Sequence, residues 1–242
     1  MLGIALGGCG NAGLAGMGLA QSGGTAATPD SRFNPFSDDP TPLAGVREVI
    51  QNPSLAEVMR PGPLPEMSLG RADAPVTIIK YASMTCPYCR KFQIDVFPEL
   101  KRQYIDTGKV RFIIREFPIG FQSGAATIAL RCAQPDKYFA LYDLLMREQA
   151  AWVSQEVRTE PIFKVASQVG MTRAQFDACR QNQGMIGALN AIKERGRTLG
   201  VIGTPNFFIN GRLVKSVLGL KEIKDIIDPI LAGRVAAAAD PT

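Results

Sequence analysis

Two cysteines three positions apart, Cys86 and Cys89, enclose Pro87 and Tyr88. Where a helix begins between them, thiols at this spacing lie one turn apart, close enough to bond. The first thiol then meets unpaired backbone N–H groups and the positive end of the helix dipole. That setting lowers its pKa and populates the thiolate, the nucleophilic form. Pro87 suits the first helical position, where its missing N–H costs nothing. The chemistry this allows is thiol–disulfide exchange. Cys86 forms a mixed disulfide with a substrate, and Cys89 resolves it.

Other chemistries are excluded by what the chain lacks. Its 242 residues contain no histidine. Ser-His-Asp and Cys-His catalysis and the usual imidazole metal sites therefore drop out. Zinc needs four ligands, and no second CxxC is present, so no metal and no cofactor is expected. A purely structural Cys86–Cys89 bond would close too small a loop to stabilise much. The net charge of +5 reads as a soluble basic surface. No Lys/Arg block with interleaved aromatics points to nucleic acid.

Val76-Thr77-Ile78-Ile79-Lys80-Tyr81 is β-branched and apolar, a buried strand. Phe92, Val96, Leu100 and Tyr104 recur at helical spacing after the motif, with a kink expected at Pro98. Val110 to Phe117 forms a second strand. Residues 122–182 turn helical, with Tyr138, Leu141, Tyr142 and Leu145 on one face and a capping box at Thr172 to Gln175. Met185, Leu189, Ile192 and Leu199 line a long helix. Strands over 206–209 and 213–217 meet at Asn210-Gly211, a strong hairpin signal. Ile223, Ile226, Ile227, Ile230 and Leu231 mark a closing amphipathic helix.

A CxxC after a strand, with Thr204-Pro205 before a later strand, resembles the thioredoxin superfamily and, within it, the DsbA-like thiol–disulfide oxidoreductases. Ala74-Pro75-Val76-Thr77 followed by Tyr81-Ala82-Ser83-Met84-Thr85-Cys86 is similar to the alphaproteobacterial type. The resemblance covers about residues 66–232. It implies an α/β class, a thioredoxin fold with a central mixed β-sheet and an all-helical insert. It also implies a cis Pro205 facing the CxxC, with the Thr204 backbone pairing with substrate. Without it, a trans turn is the better expectation, since cis is uncommon even for X-Pro.

Around this domain the chain divides into an export signal or lipoprotein leader (1–20), a disordered linker (21–42), an N-terminal helical segment (43–65) and a flexible tail (233–242). Leu6-Gly7-Gly8-Cys9 resembles a lipoprotein cleavage box with Cys9 as the lipidated residue. Alternatively Cys9 belongs to a discarded leader. The Gly-rich start is a poor transmembrane span. Residues 43–60 allow one or two short helices, the second capped by Ser54. Export would favour a structural disulfide between Cys132 and Cys179, both in the helical insert. Two buried reduced cysteines are the alternative.

Two positions depart from the family pattern. Where many relatives carry an acidic residue six before the nucleophile, this chain has Lys80. Such a lysine could favour the thiolate, take over proton transfer, or snorkel to solvent, with Glu116 as a possible partner. Strongly oxidising members often have His where Tyr88 stands. The leading reading is an exported oxidoreductase of the bacterial periplasm, monomeric, acting on protein thiols and disulfides as oxidant or as isomerase/reductase. A DsbB-like or DsbD-like membrane partner would recharge it. The alternatives are a glutathione-dependent small-molecule enzyme and a non-catalytic copper- or heme-maturation chaperone. A phenol at Tyr88 has no cationic form to hold a thiolate. Tyr88→His is therefore expected to make the dithiol more oxidising in equilibrium with glutathione; an unchanged or more reducing variant contradicts this.

Overall fold

The computed structural model describes residues 49–233. Cys9, the leader, the linker and nearly all of the tail lie outside them. A five-stranded mixed sheet runs in the order β1-β3-β2-β4-β5. Its strands are β1 (Met67–Leu69), β2 (Val76–Ala82), β3 (Val110–Glu116), β4 (Asn206–Ile209) and β5 (Arg212–Val214). β2 and β3 are parallel, Ile78 opposite Phe112; the other pairs are antiparallel. β1 is an addition to the sequence reading. Three residues after a proline-rich stretch are too few to show a period.

The hairpin forms at Asn210 and Gly211, both at positive φ. Asn210 also accepts the Thr77 N–H through its side chain at 2.7 Å, which ties the turn to β2. β5 stops at Val214, shorter than the strand expected to reach 217. Val214 pairs with Phe207, so the next partners would be Asn206 and Pro205. Proline has no N–H to offer a ladder.

Both faces of the sheet are covered, and alternation along β2 assigns each side chain. Val76, Ile78 and Ala82 face a large core shared with Phe92, Phe112, Tyr142 and Phe207. Ile79 and Tyr81 face a smaller one with Val58, Leu199 and Phe208. On that second side α1 (Leu55–Met59), with its Ser54 capping box, and α9 (Gln183–Thr198) approach the sheet. The approach of α9 needs Gly196, because a Cβ there would stand 2.7 Å from the Tyr81 ring.

The first side carries α2 (Pro87–Lys91), which continues through a π-type turn at Phe92–Val96, α3 (Phe97–Leu100) and a second π-type turn at Lys101–Ile105. The Phe97 N–H bonds back five residues to Phe92. This widening sits where the Pro98 ring would otherwise press on the preceding turn, so the expected interruption is absorbed in the helix. α10 (Leu220–Leu231) closes the fold beside it.

The helical insert comprises α4 (Phe121–Cys132), α5 (Tyr138–Arg147), α6 (Gln149–Trp152), α7 (Thr159–Ser167) and α8 (Arg173–Arg180). A disulfide joins Cys132 at the end of α4 to Cys179 in α8, with Cα atoms 5.9 Å apart. It closes a loop of 47 positions. Chain entropy assigns such a loop about 4 kcal/mol before strain. Cys179→Ala is therefore expected to lower unfolding stability by about 3 kcal/mol in urea titration; equal midpoints for variant and parent would contradict that assignment.

Candidate active site

Cys86 is the N-cap of α2, with extended backbone, and Pro87 is its first helical residue. The Cys86 Sγ accepts the Cys89 N–H at 3.3 Å. It also donates to the Thr204 carbonyl at 3.1 Å. The Thr204–Pro205 peptide is cis. The chain thus brings together Cys86, Cys89, Thr204 and Pro205 from regions 118 positions apart. Cys86 is half-buried, whereas Cys89 is buried. Tyr88 stands between them in the chain, 56% exposed.

The two thiols are driven in opposite directions. Cys86 is pulled down to about 5, first by its hydrogen bond with the Cys89 side chain. Burial opposes this, while Thr204 and the backbone N–H groups of Cys89 and Tyr88 add to it. Burial pushes Cys89 well above the ordinary thiol value, and its hydrogen bond with Cys86 pushes the same way. One sulfur is thus a thiolate near neutral pH and its neighbour a thiol. The acidic thiol sits at the rim and the reluctant one is buried, so the two differ in nucleophilicity.

Lys80 lies beneath them with no solvent exposure. Its Nζ donates to the Tyr142 hydroxyl at 3.2 Å and to the Cys89 carbonyl at 3.4 Å, and stands 4.3 Å from the centre of the Phe92 ring. Snorkelling to solvent is thereby corrected. With both faces of β2 covered, a four-carbon stem cannot reach water. Glu116 is not its partner either. The register sets Glu116 opposite Ala82. Its carboxylate is taken by Arg131 at 2.8 Å and by the Tyr138 hydroxyl at 2.7 Å. Burial lowers the Lys80 amine from 10.5 to about 8, opposed by the thiols of Cys89 and Cys86.

Sequence reasoning missed the polar groups that hold the loop before Cys86. Ser123 of α4 and Gln149 of α6 both bond to the backbone of Met84. The available signal was polarity inside α4, where Gln122, Ser123 and Thr127 are buried. Among the described residues no group of three or more His, Cys, Asp or Glu is placed to hold a metal.

The family model described as Thioredoxin matches residues 64–229. A Rickettsia bellii protein named as a protein-disulfide oxidoreductase is 32% identical over 151 residues, 60% of this chain and 57% of that protein. The chain thus spans somewhat over half the length of that relative. A Bacillus cereus protein named as disulfide bond formation protein D is 29% identical over 61% of this chain and 71% of its own length. Among solved structures, Wolbachia pipientis alpha-DsbA1 superposes with a TM-score of 0.69 at 26% identity, covering 75% of this chain and 98% of that one.

The sign of the Lys80 effect on stability follows from its lowered pKa. Below about pH 8 the folded chain carries a buried cation, and this cost is fully present. Between about 8 and 10.5 the unfolded chain keeps a proton that the folded one releases, so stability rises with pH. Lys80→Met is expected to raise stability of the reduced protein at pH 7 by about 3 kcal/mol and to flatten that rise. Denaturant titrations at pH 7 and pH 9.5 check it; a less stable variant at pH 7 contradicts it.

Proposed function

The chain belongs to the thioredoxin family, and on that premise we propose that it is an exported protein disulfide oxidoreductase working mainly as an oxidant. The observation that carries this reading is the Cys86 sulfur at the start of α2, accepting the Cys89 N–H. A sulfur so stabilised as thiolate is a good leaving group, which favours the reduced enzyme and therefore oxidation of the substrate.

A substrate thiolate attacks Cys86 Sγ of the oxidised Cys86–Cys89 pair. The bond between them breaks, and Cys89 leaves and takes up a proton. A second substrate thiolate then attacks its own sulfur in the mixed disulfide and expels Cys86 as thiolate. Two electrons pass to the enzyme dithiol, and a DsbB-like membrane partner would remove them. Lys80, bonded to the Cys89 carbonyl and the Tyr142 hydroxyl, would be the nearby group to exchange the Cys89 proton. The substrate segment would lie extended along the Thr204 backbone by strand addition, with Pro205 shaping that edge. Tyr88 and Pro87 modulate the thiols rather than react.

Residues 66–232 would be the catalytic domain, with residues 1–20 serving export to the periplasm and Cys9 as the lipidation candidate. Neither the glutathione-dependent nor the copper-carrier alternative is favoured by how the relatives are named.

Incubation of the oxidised protein with reduced, unfolded ribonuclease tests the proposal. Disulfides are expected to transfer within minutes at pH 7, and Cys89→Ser to accumulate a mixed disulfide through Cys86 that reductant releases. Efficient insulin reduction with negligible ribonuclease oxidation would reverse the assigned direction.

A further inference from the structure

The helical insert grips the active-site loop most closely at Met84, two positions before the nucleophile. Its N–H donates to Ser123 Oγ at 3.0 Å, and its carbonyl accepts from Gln149 Nε2 at 2.7 Å. Both backbone groups of Met84 are thus held by side chains of the insert, where a strand neighbour would hold them in a sheet. Gln149 Nε2 also donates to the Cys86 carbonyl at 3.1 Å, so one amide bridges the carbonyls on either side of Thr85. Ser123 Oγ lies 2.8 Å from Ser83 Oγ, which in turn accepts the Ile119 N–H at 3.3 Å.

These side chains are themselves fixed. Ser83, Ser123 and Gln149 are all buried. Gln149 opens α6, whose end is anchored where Gln122 Nε2 donates to the Trp152 carbonyl at 2.6 Å. The Trp152 indole N–H donates to the Leu145 carbonyl at 2.8 Å. Gln122 also accepts the Arg158 N–H at 3.0 Å. The loop is therefore set by a frame that includes α4, α5 and α6. It is not set by the sheet and α2 alone.

We propose that Gln149 and Ser123 are positioning residues through which the helical insert holds the Met84–Cys86 backbone so that the nucleophilic sulfur sits over the start of α2. The inference deepens the oxidoreductase reading and rests on it. Neither side chain reaches the reacting sulfurs. Each acts on backbone groups, and the loop geometry they set decides how well the Cys89 and Tyr88 N–H groups meet Cys86. Without them, Met84 keeps its place in the chain but loses the two contacts that fix its orientation, and a displaced N-cap sulfur meets those donors poorly.

The residues ranged around the sulfur are Cys89, Lys80 and Tyr142, with Thr204 opposite. Gln149 and Ser123 are neutral, so substituting them changes no charge. A shift in thiol titration on their replacement therefore reports geometry.

The test is the pH dependence of Cys86 alkylation in the full chain. Three variants are compared with the parent: Gln149→Met, which keeps the volume and removes the donors; Ser123→Ala, which removes one hydroxyl; and Leu199→Ala. The last creates a core cavity on the opposite face of the sheet and controls for lost stability alone. Gln149→Met is expected to move the alkylation midpoint up by about one pH unit, slowing modification at pH 5 about fivefold. Ser123→Ala moves it the same way by less. Leu199→Ala lowers the melting temperature and leaves the midpoint in place. A low parental midpoint that both Gln149→Met and Ser123→Ala leave unmoved, or that Leu199→Ala moves as far, overturns the inference alone. A parental midpoint near that of an ordinary thiol overturns the oxidoreductase reading and this inference with it. Should Gln149→Met not fold, the Ser123→Ala midpoint decides.

Discussion

The structure around the dithiol depends on one constraint, the start of α2 at Cys86, whose mark is the hydrogen bond from the Cys89 N–H to the Cys86 sulfur. That bond exists because α2 begins at this residue. The first N–H groups of a helix have no partner within it, and a sulfur at the N-cap supplies one. Moving the helix start by one residue would turn the sulfur away. The features that fix that start can each be named. Pro87 suits the first helical position, and β2 delivers the chain to the loop from a buried, two-sided register. The Thr204 carbonyl closes the far side of the sulfur.

The same arrangement makes the thiols unequal. Cys86 sits at the rim, where donors converge and water reaches it. Cys89, one turn on, faces the apolar layer of Phe92 and Tyr142. The acidity of the first and the reluctance of the second share an origin in the burial gradient along one helical turn. An exposed pair at the same spacing would lack it. The insert supplies much of that gradient, since Tyr142 on α5 and Gln149 on α6 form part of the wall. Its disulfide joins the far ends of α4 and α8, away from the dithiol loop.

Much of the frame was legible in the sequence because periodicity and turn chemistry are local. The β2–α2 unit, the insert, the Asn210-Gly211 hairpin and the Thr172 capping box all follow from patterns within a few residues. The placement of Lys80 was partly legible. Alternation along β2 puts it on the face of Ile78 and Ala82, and a strand covered on both sides leaves no route to water. What the sequence concealed was long-range. Glu116 is committed to Arg131 and Tyr138, residues 15 and 22 positions away, and nothing in local pattern distinguishes those partners from Lys80. Ser123 and Gln149 read as ordinary helix residues until the insert is folded over the loop. β1 was hidden for the opposite reason, being too short to carry a pattern at all.

Lys80 couples this burial to the redox state. A buried ammonium is held in its charged form by nearby negative charge, and here the thiols of Cys89 and Cys86 are the groups that raise its pKa. The neighbouring Tyr142 hydroxyl gives no anion at neutral pH, since burial holds its pKa well above the ordinary value. Joining the two sulfurs removes their capacity for charge. The desolvation that disfavours the ammonium is then less opposed, and its proton is less firmly held. Reduction restores a thiolate at Cys86 and with it a reason for Lys80 to be charged. A carboxyl in the same place would respond with the opposite sign, because a thiolate raises the pKa of an acid by repelling its anion. With lysine there, thiolate formation at Cys86 and protonation beneath it reinforce each other, so the buried cation costs the reduced state less than it costs the oxidised one.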